Sequence, residues 1–111
     1  MVLAKNELFD KQEQQCAALF KALAHPARIQ ILKYLAETKT CISGDISNEL
    51  PLGRTTVNQH LKELKNIGLI QGHVTGHRTN YCLNPKKVRE LKAIAGQFFD
   101  EIDIGENLNC D

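Results

Sequence analysis

The tightest constraint on this chain is a three-residue stop, Pro51-Leu52-Gly53, set between two short segments that both carry helical spacing. Before it, Ile46 and Leu50 lie four apart in the stretch from Ser43 to Leu50, which is too polar for a buried strand and reads as a short helix. After it, Val57, Leu61 and Leu64 fall in one narrow sector of a helix running from Arg54 to Ile67, with Gly53 as its N-cap. Two short helices joined by so brief a proline and glycine turn suggest a helix-turn-helix.

The flanks supply what such a pair packs against. Leu8, Phe9, Cys16, Leu19, Phe20 and Leu23 recur at intervals of three and four, predicting an amphipathic helix over residues 4–23. A second helix opens at His25-Pro26, where proline suits the first helical position because its missing N–H had no partner there, and buries Ile29, Leu32, Leu35 and Ala36. Gly68 ends the helix that begins at Arg54. Leu69 to Val74 and Arg78 to Leu83 then alternate around Thr75-Gly76-His77, the pattern of a two-stranded hairpin. Asn84-Pro85 opens a last helix over residues 85–104, whose Val88, Leu91, Ile94, Ala95, Phe98 and Ile102 keep helical spacing, and residues 105–111 form a polar, acidic tail. The predicted fold is mainly α with α+β character, a winged helix-turn-helix with elements in the order ααααββα. At 111 residues it is a single domain with one modest core.

The net charge of +1 conceals a division along the chain. Residues 1–50 carry six basic and six acidic side chains, residues 51–92 carry eight basic and two acidic, and residues 93–111 carry five acidic and none basic. The positive excess therefore coincides with the second helix of the pair and the hairpin, together with His60, His73 and His77. The outward sector of that helix holds Thr55, Gln59, Lys62 and Asn66. Asn and Gln side chains suit adenine edges, and Arg54 at the N-terminal end suits guanine. Lys65, with His77 and Arg78 at the hairpin tip, suits phosphates or the minor groove. The candidate DNA-contacting set is Arg54, Thr55, Thr56, Asn58, Gln59, His60, Lys62, Lys65, His77 and Arg78. A merely solvated helix face is the ordinary alternative, but the ordered sequence of helix, turn, helix and basic hairpin favours double-stranded DNA as partner.

No apolar run approaches the roughly 20 residues that a membrane span requires, and the N-terminal residues lack the order of a signal peptide, so a cytoplasmic location is expected. The four cysteines, Cys16, Cys41, Cys82 and Cys110, have no C-x-x-C spacing and read as thiols rather than as a disulfide scaffold. There is no glycine-rich phosphate loop, no nucleophile elbow and no pair of acids on a common face, so an enzyme is not expected.

The segment from Phe20 to Leu32, with Ala24-His25-Pro26-Ala27-Arg28 at its centre, and the segment from Thr55 to Ile70 resemble the ArsR/SmtB family of bacterial winged-helix repressors, and Tyr81 to Pro85 looks like that family's closing strand. The resemblance implies a homodimer built from the first and last helices, binding a pseudo-palindromic operator. Phe9, Phe20, Ile94 and Phe98 on those helices are the expected interface. It also implies release by a thiol-directed signal such as arsenite, antimonite, a divalent metal or reactive sulfur, with Cys41, Cys16 and Cys110 as candidate ligands. No cofactor is expected to be required for folding or DNA binding. Cys41-Ile42-Ser43 keeps only the first cysteine of one arsenic-responsive pattern, and residues 85–104 have no histidine for a zinc site on the last helix. Two alternatives stay open: a DNA binder with inert cysteines that another ligand or protein controls, and an adaptor whose winged helix binds protein.

Overall fold

The computed structural model describes residues 8–38, 42–43, 50–76 and 78–106, with the backbone alone at 42, 43, 75 and 78. Its elements are α1 (Lys11–Leu23), α2 (Pro26–Thr38), β1 (Ile42–Ser43), α3 (Arg54–Asn66), β2 (Ile70–Thr75), β3 (Arg78–Leu83) and α4 (Pro85–Ile102). The architecture is mainly helical, with four helices and an antiparallel hairpin among the described residues, as expected of a winged helix-turn-helix.

Two expectations about the elements change. The first helix begins at Lys11 rather than near residue 4, because Asp10 closes a capping box: its carboxylate accepts from the Glu13 N–H at 2.7 Å, and the Glu13 carboxylate accepts from the Asp10 N–H at 3.2 Å. Leu8 and Phe9 thereby fall outside the helix. The stretch from Ser43 to Leu50 does not run as one helix, since Ser43 belongs to β1 and Leu50 is a bend; residues 44–49 lie outside those described. β1 adds a third strand to the sheet, in the order β1-β3-β2, with Ile42 opposite Tyr81 and Ser43 opposite Asn80. Strand pairing satisfied by β3's second edge overrides the polar composition that argued against extended structure.

The other boundaries follow from local chemistry. Pro26 occupies the first position of α2, and the His25 imidazole caps it by accepting from the Ala27 N–H at 3.0 Å. Gly53 caps α3 in extended conformation, while Gly68, at φ 90°, turns the chain so that Leu69 N–H reaches the Leu64 carbonyl. Gly76, at φ 63°, supplies the left-handed residue of the hairpin turn between β2 and β3. α4 starts at Pro85 behind an Asn84 cap and ends at Ile102, two residues short of the expected limit.

One core holds these elements together. Ile31 and Leu35 of α2, Val57, Leu61 and Leu64 of α3, Leu19 of α1, Leu91 of α4 and Ile70 of β2 form a continuous buried cluster, with Ile31 and Leu64 fully enclosed. Among the described residues α3 is thus pinned from behind by α1, α2 and β2, and its outward face is exposed.

Candidate nucleic-acid interface

α3 carries the candidate interface because its two faces are cleanly separated. Val57, His60, Leu61 and Leu64 are buried, whereas Arg54, Thr55, Thr56, Asn58, Gln59, Lys62 and Lys65 are exposed. Leucine at 61 and 64 with valine at 57 leaves that buried stripe without a charged residue, so burial of this face carries no ionic cost. Gln59 and Glu63 lie one turn apart, with the Gln59 amide donating to the Glu63 carboxylate at 3.4 Å. That long contact leaves the amide accessible to a base edge.

The hairpin lies beside this face. Lys65 reaches back across it: a side-chain carbon on Gly72 would meet the Lys65 ammonium at 3.5 Å and Tyr81 at 3.5 Å. The Lys65 ammonium therefore lies over Gly72, which places its charge at the junction of helix and hairpin. His73 is exposed on β2. His77 lies outside the described residues, as does the side chain of Arg78.

His60 is the expected DNA contact that the structure corrects. It is 6 % exposed and turned into the α2–α3 interface, so it reads no base in this arrangement. Its Nδ1 accepts from Arg28 Nε at 3.0 Å, and its ring lies 4.3 Å from that of His25. Burial, with His25 and Arg28 nearby, lowers its pKa from the ordinary 6.5.

One cysteine differs from expectation. Cys82 is disulfide-bonded rather than a free thiol. Cys16 is free and buried on the core side of α1. Cys41 and Cys110 lie outside the described residues. Among the described residues no three His, Cys, Asp or Glu side chains converge to hold a metal ion. No helix among them is long and apolar enough to cross a membrane.

The profile of "Bacterial regulatory protein, arsR family" matches residues 25–71, the span from the start of α2 through α3 into β2. An uncharacterized HTH-type transcriptional regulator of Methanocaldococcus jannaschii is 32% identical over 78 residues, covering 70% of this chain and 88% of that protein. The chain belongs to the ArsR family. A "Cadmium resistance transcriptional regulatory protein CadC homolog" of Staphylococcus aureus is 30% identical over 89 residues, covering 79% of this ArsR-family chain and 73% of the relative. The solved structure of HlyU from Vibrio cholerae superposes with a TM-score of 0.63 at 27% identity, covering 85% of this chain and 98% of HlyU. Relatives and fold place this ArsR-family chain among transcriptional regulators with a DNA-binding helix-turn-helix.

Proposed function

We propose that this protein is a homodimeric repressor that inserts two copies of α3 into successive major grooves of a pseudo-palindromic operator. The observation that carries the reading is the exposed outward row of Thr55, Thr56, Asn58, Gln59 and Lys62 on a helix whose other face is wholly committed to the core. Asn and Gln offer bidentate contacts to adenine, and Arg54 offers them to guanine.

The dimer rests on a second observation. Phe20 of α1 meets Phe98 and Phe99 of α4 with ring centroids at 5.7 and 6.0 Å, and Phe98 meets Phe99 at 5.3 Å. Beside this trio Phe9, Phe99, Ile102 and Ile104 remain exposed by more than half. Phe99 packs against Phe20, with Ile102 and Ile104 following it along the chain, and a second copy of this α1–α4 face covers them symmetrically. A dimer of this kind carries its α3 helices to half-sites about 34 Å apart.

Selection of bound sequences from a random duplex pool tests the DNA reading. The expected result is a two-fold related consensus, affinity that falls steeply with salt, and a loss of about 1–3 kcal/mol on Gln59→Ala at one base position. Recovery of no sequence, or binding indifferent to salt and to Gln59, overturns it and favours the protein adaptor.

For the release signal, the disulfide at Cys82 supports a thiol-oxidising or reactive-sulfur inducer over arsenite or a divalent metal. Oxidation of two thiols by a small disulfide forms the protein disulfide and releases two small thiols, with atoms and electrons balanced. The remaining cysteines besides buried Cys16 are Cys41, which directly precedes β1, and Cys110. Operator release by an oxidant that persists in Cys82→Ser overturns this part of the reading.

A further inference from the structure

The junction of α1, α2 and α3 contains a polar arrangement that DNA contact does not use. Arg28, in the first turn of α2, spans it. Its Nε donates to His60 Nδ1 on α3 at 3.0 Å, and its terminal nitrogen donates to the Ala22 carbonyl at 3.0 Å. Ala22 lies in the last turn of α1, whose final carbonyls have no partner within the helix. One guanidinium thus ties the end of α1 to the inner face of α3.

The chemistry of this bridge fixes the state of the imidazole. Arginine has donors only and stays protonated, so His60 Nδ1 must be the acceptor and the ring proton must sit on Nε2. Nε2 is buried with no hydrogen-bond partner among the described residues. A metal ion is excluded as its partner, because ligation there would need the lone pair that this tautomer lacks. The orphaned donor is a retained cost, of the kind that persists where the opposite side of the ring makes a contact of greater value.

We propose that Arg28 and His60 form a positioning latch for α3, and that DNA affinity depends on His60 remaining neutral. A second proton on His60 would place an N–H against the Arg28 N–H and a positive charge beside the guanidinium, so the bridge opens and α3 loses its fixed angle to α1. Among the described residues the charged or titratable groups acting on His60 are Arg28 and His25; α1 contributes the neutral Ala22 carbonyl. Both groups oppose the second proton, as does burial, so the latch stays closed near neutral pH and opens only on acidification below the ordinary histidine range. The sign is diagnostic. Protonating a histidine that faces DNA adds positive charge there and strengthens binding as pH falls, whereas protonating His60 weakens it.

The inference rests on the DNA-binding reading, and the test separates the two. The full chain is titrated with its selected operator from about pH 8 to about pH 5, alongside His60→Asn, His60→Gln and Arg28→Lys. Asparagine carries its amide oxygen near the position of Nδ1 and cannot titrate. His60→Asn is therefore expected to bind as tightly as the wild type at neutral pH and to lose the acid-side weakening. Glutamine puts its oxygen near Nε2, away from Arg28, and a lysine cannot bridge both partners. His60→Gln and Arg28→Lys are expected to bind about tenfold more weakly at neutral pH while retaining the helical circular dichroism of the wild type. A wild-type pH profile that persists in His60→Asn overturns the latch. Failure of the wild type to retain any operator at neutral pH overturns the DNA reading instead. Nitrogen NMR of the imidazole then still decides the latch: His60 must show the neutral Nε2–H tautomer in the wild type, and the Nδ1–H tautomer refutes it.

Discussion

α3 and α4 are both amphipathic, yet they dispose of their apolar faces in opposite ways. In the 13 residues of α3 four side chains are buried, whereas in the 18 residues of α4 only Leu91 is. α3 spends its apolar side inside its own subunit and presents polar groups outward. α4 keeps Phe99 and Ile102 at the surface, next to the half-buried Phe98. A helix whose apolar face is consumed at home is free to meet a polar, charged partner such as DNA. A helix whose apolar face is left over calls for another apolar surface.

Three substitutions sharpen this contrast, from the largest effect to the smallest. Leu64→Ala, at the fully enclosed centre of α3, should cost about 2–5 kcal/mol in denaturant unfolding, the range for a core cavity. A cost below that range would mean that α3 is less firmly seated than its burial implies. Phe98→Asp should shift the protein towards monomer in sedimentation, by about 2 kcal/mol of association free energy or more, with subunit secondary structure kept. Sedimentation unchanged by Phe98→Asp would refute an association contact at Phe98. Asp10→Ala removes the capping box of α1 and should lower stability by about 1 kcal/mol, with helical signal lost first at the N-terminal end. That loss should leave operator affinity per folded protein nearly untouched, since Asp10 caps the end of α1 opposite to Ala22, which the Arg28 bridge holds.

Most of this fold was legible because the strongest signals were local. Pro26, Gly53, Gly68, Gly76 and Asn84-Pro85 each mark a boundary through backbone chemistry, and alternation signals the hairpin, although Thr75 belongs to its first strand and pairs with Arg78 instead of standing in the turn. Part of what escaped depended on partners distant in sequence, whereas the buried face of α2 was misplaced locally: Ala27, Ile31 and Leu35 are buried, while Ile29 and Ala36 are exposed. Two residues cannot display alternation, so β1 announced itself only through Tyr81 and Asn80. The start of α1 was in principle readable, since Asp10 and Glu13 have the spacing of a capping box, but the apolar recurrence through Leu8 and Phe9 masked it. His60 carried a signal as well: it sits at the edge of the Val57 and Leu61 face, a position that favours packing over base reading, although its polar side chain kept it among the candidate contacts. The disulfide of Cys82 had no sequence signal at all, because cysteines far apart in a chain pair through tertiary proximity. Of the candidate DNA contacts, those on α3 other than His60 stand on its outward face, which the helical wheel alone sufficed to separate.

The sheet order β1-β3-β2 has a consequence for how such a chain can change over time. β3 is the only strand with both edges occupied among the described residues, and its alternation is read by two neighbours at once. Insertion of one residue within Arg78–Leu83 would invert the facing of every side chain beyond it and break register with β1 and β2 together. An insertion beside Gly76 lengthens only a turn. Length variation among related chains should therefore gather at the hairpin tip, leaving the span of β3 constant while the reach of the wing evolves.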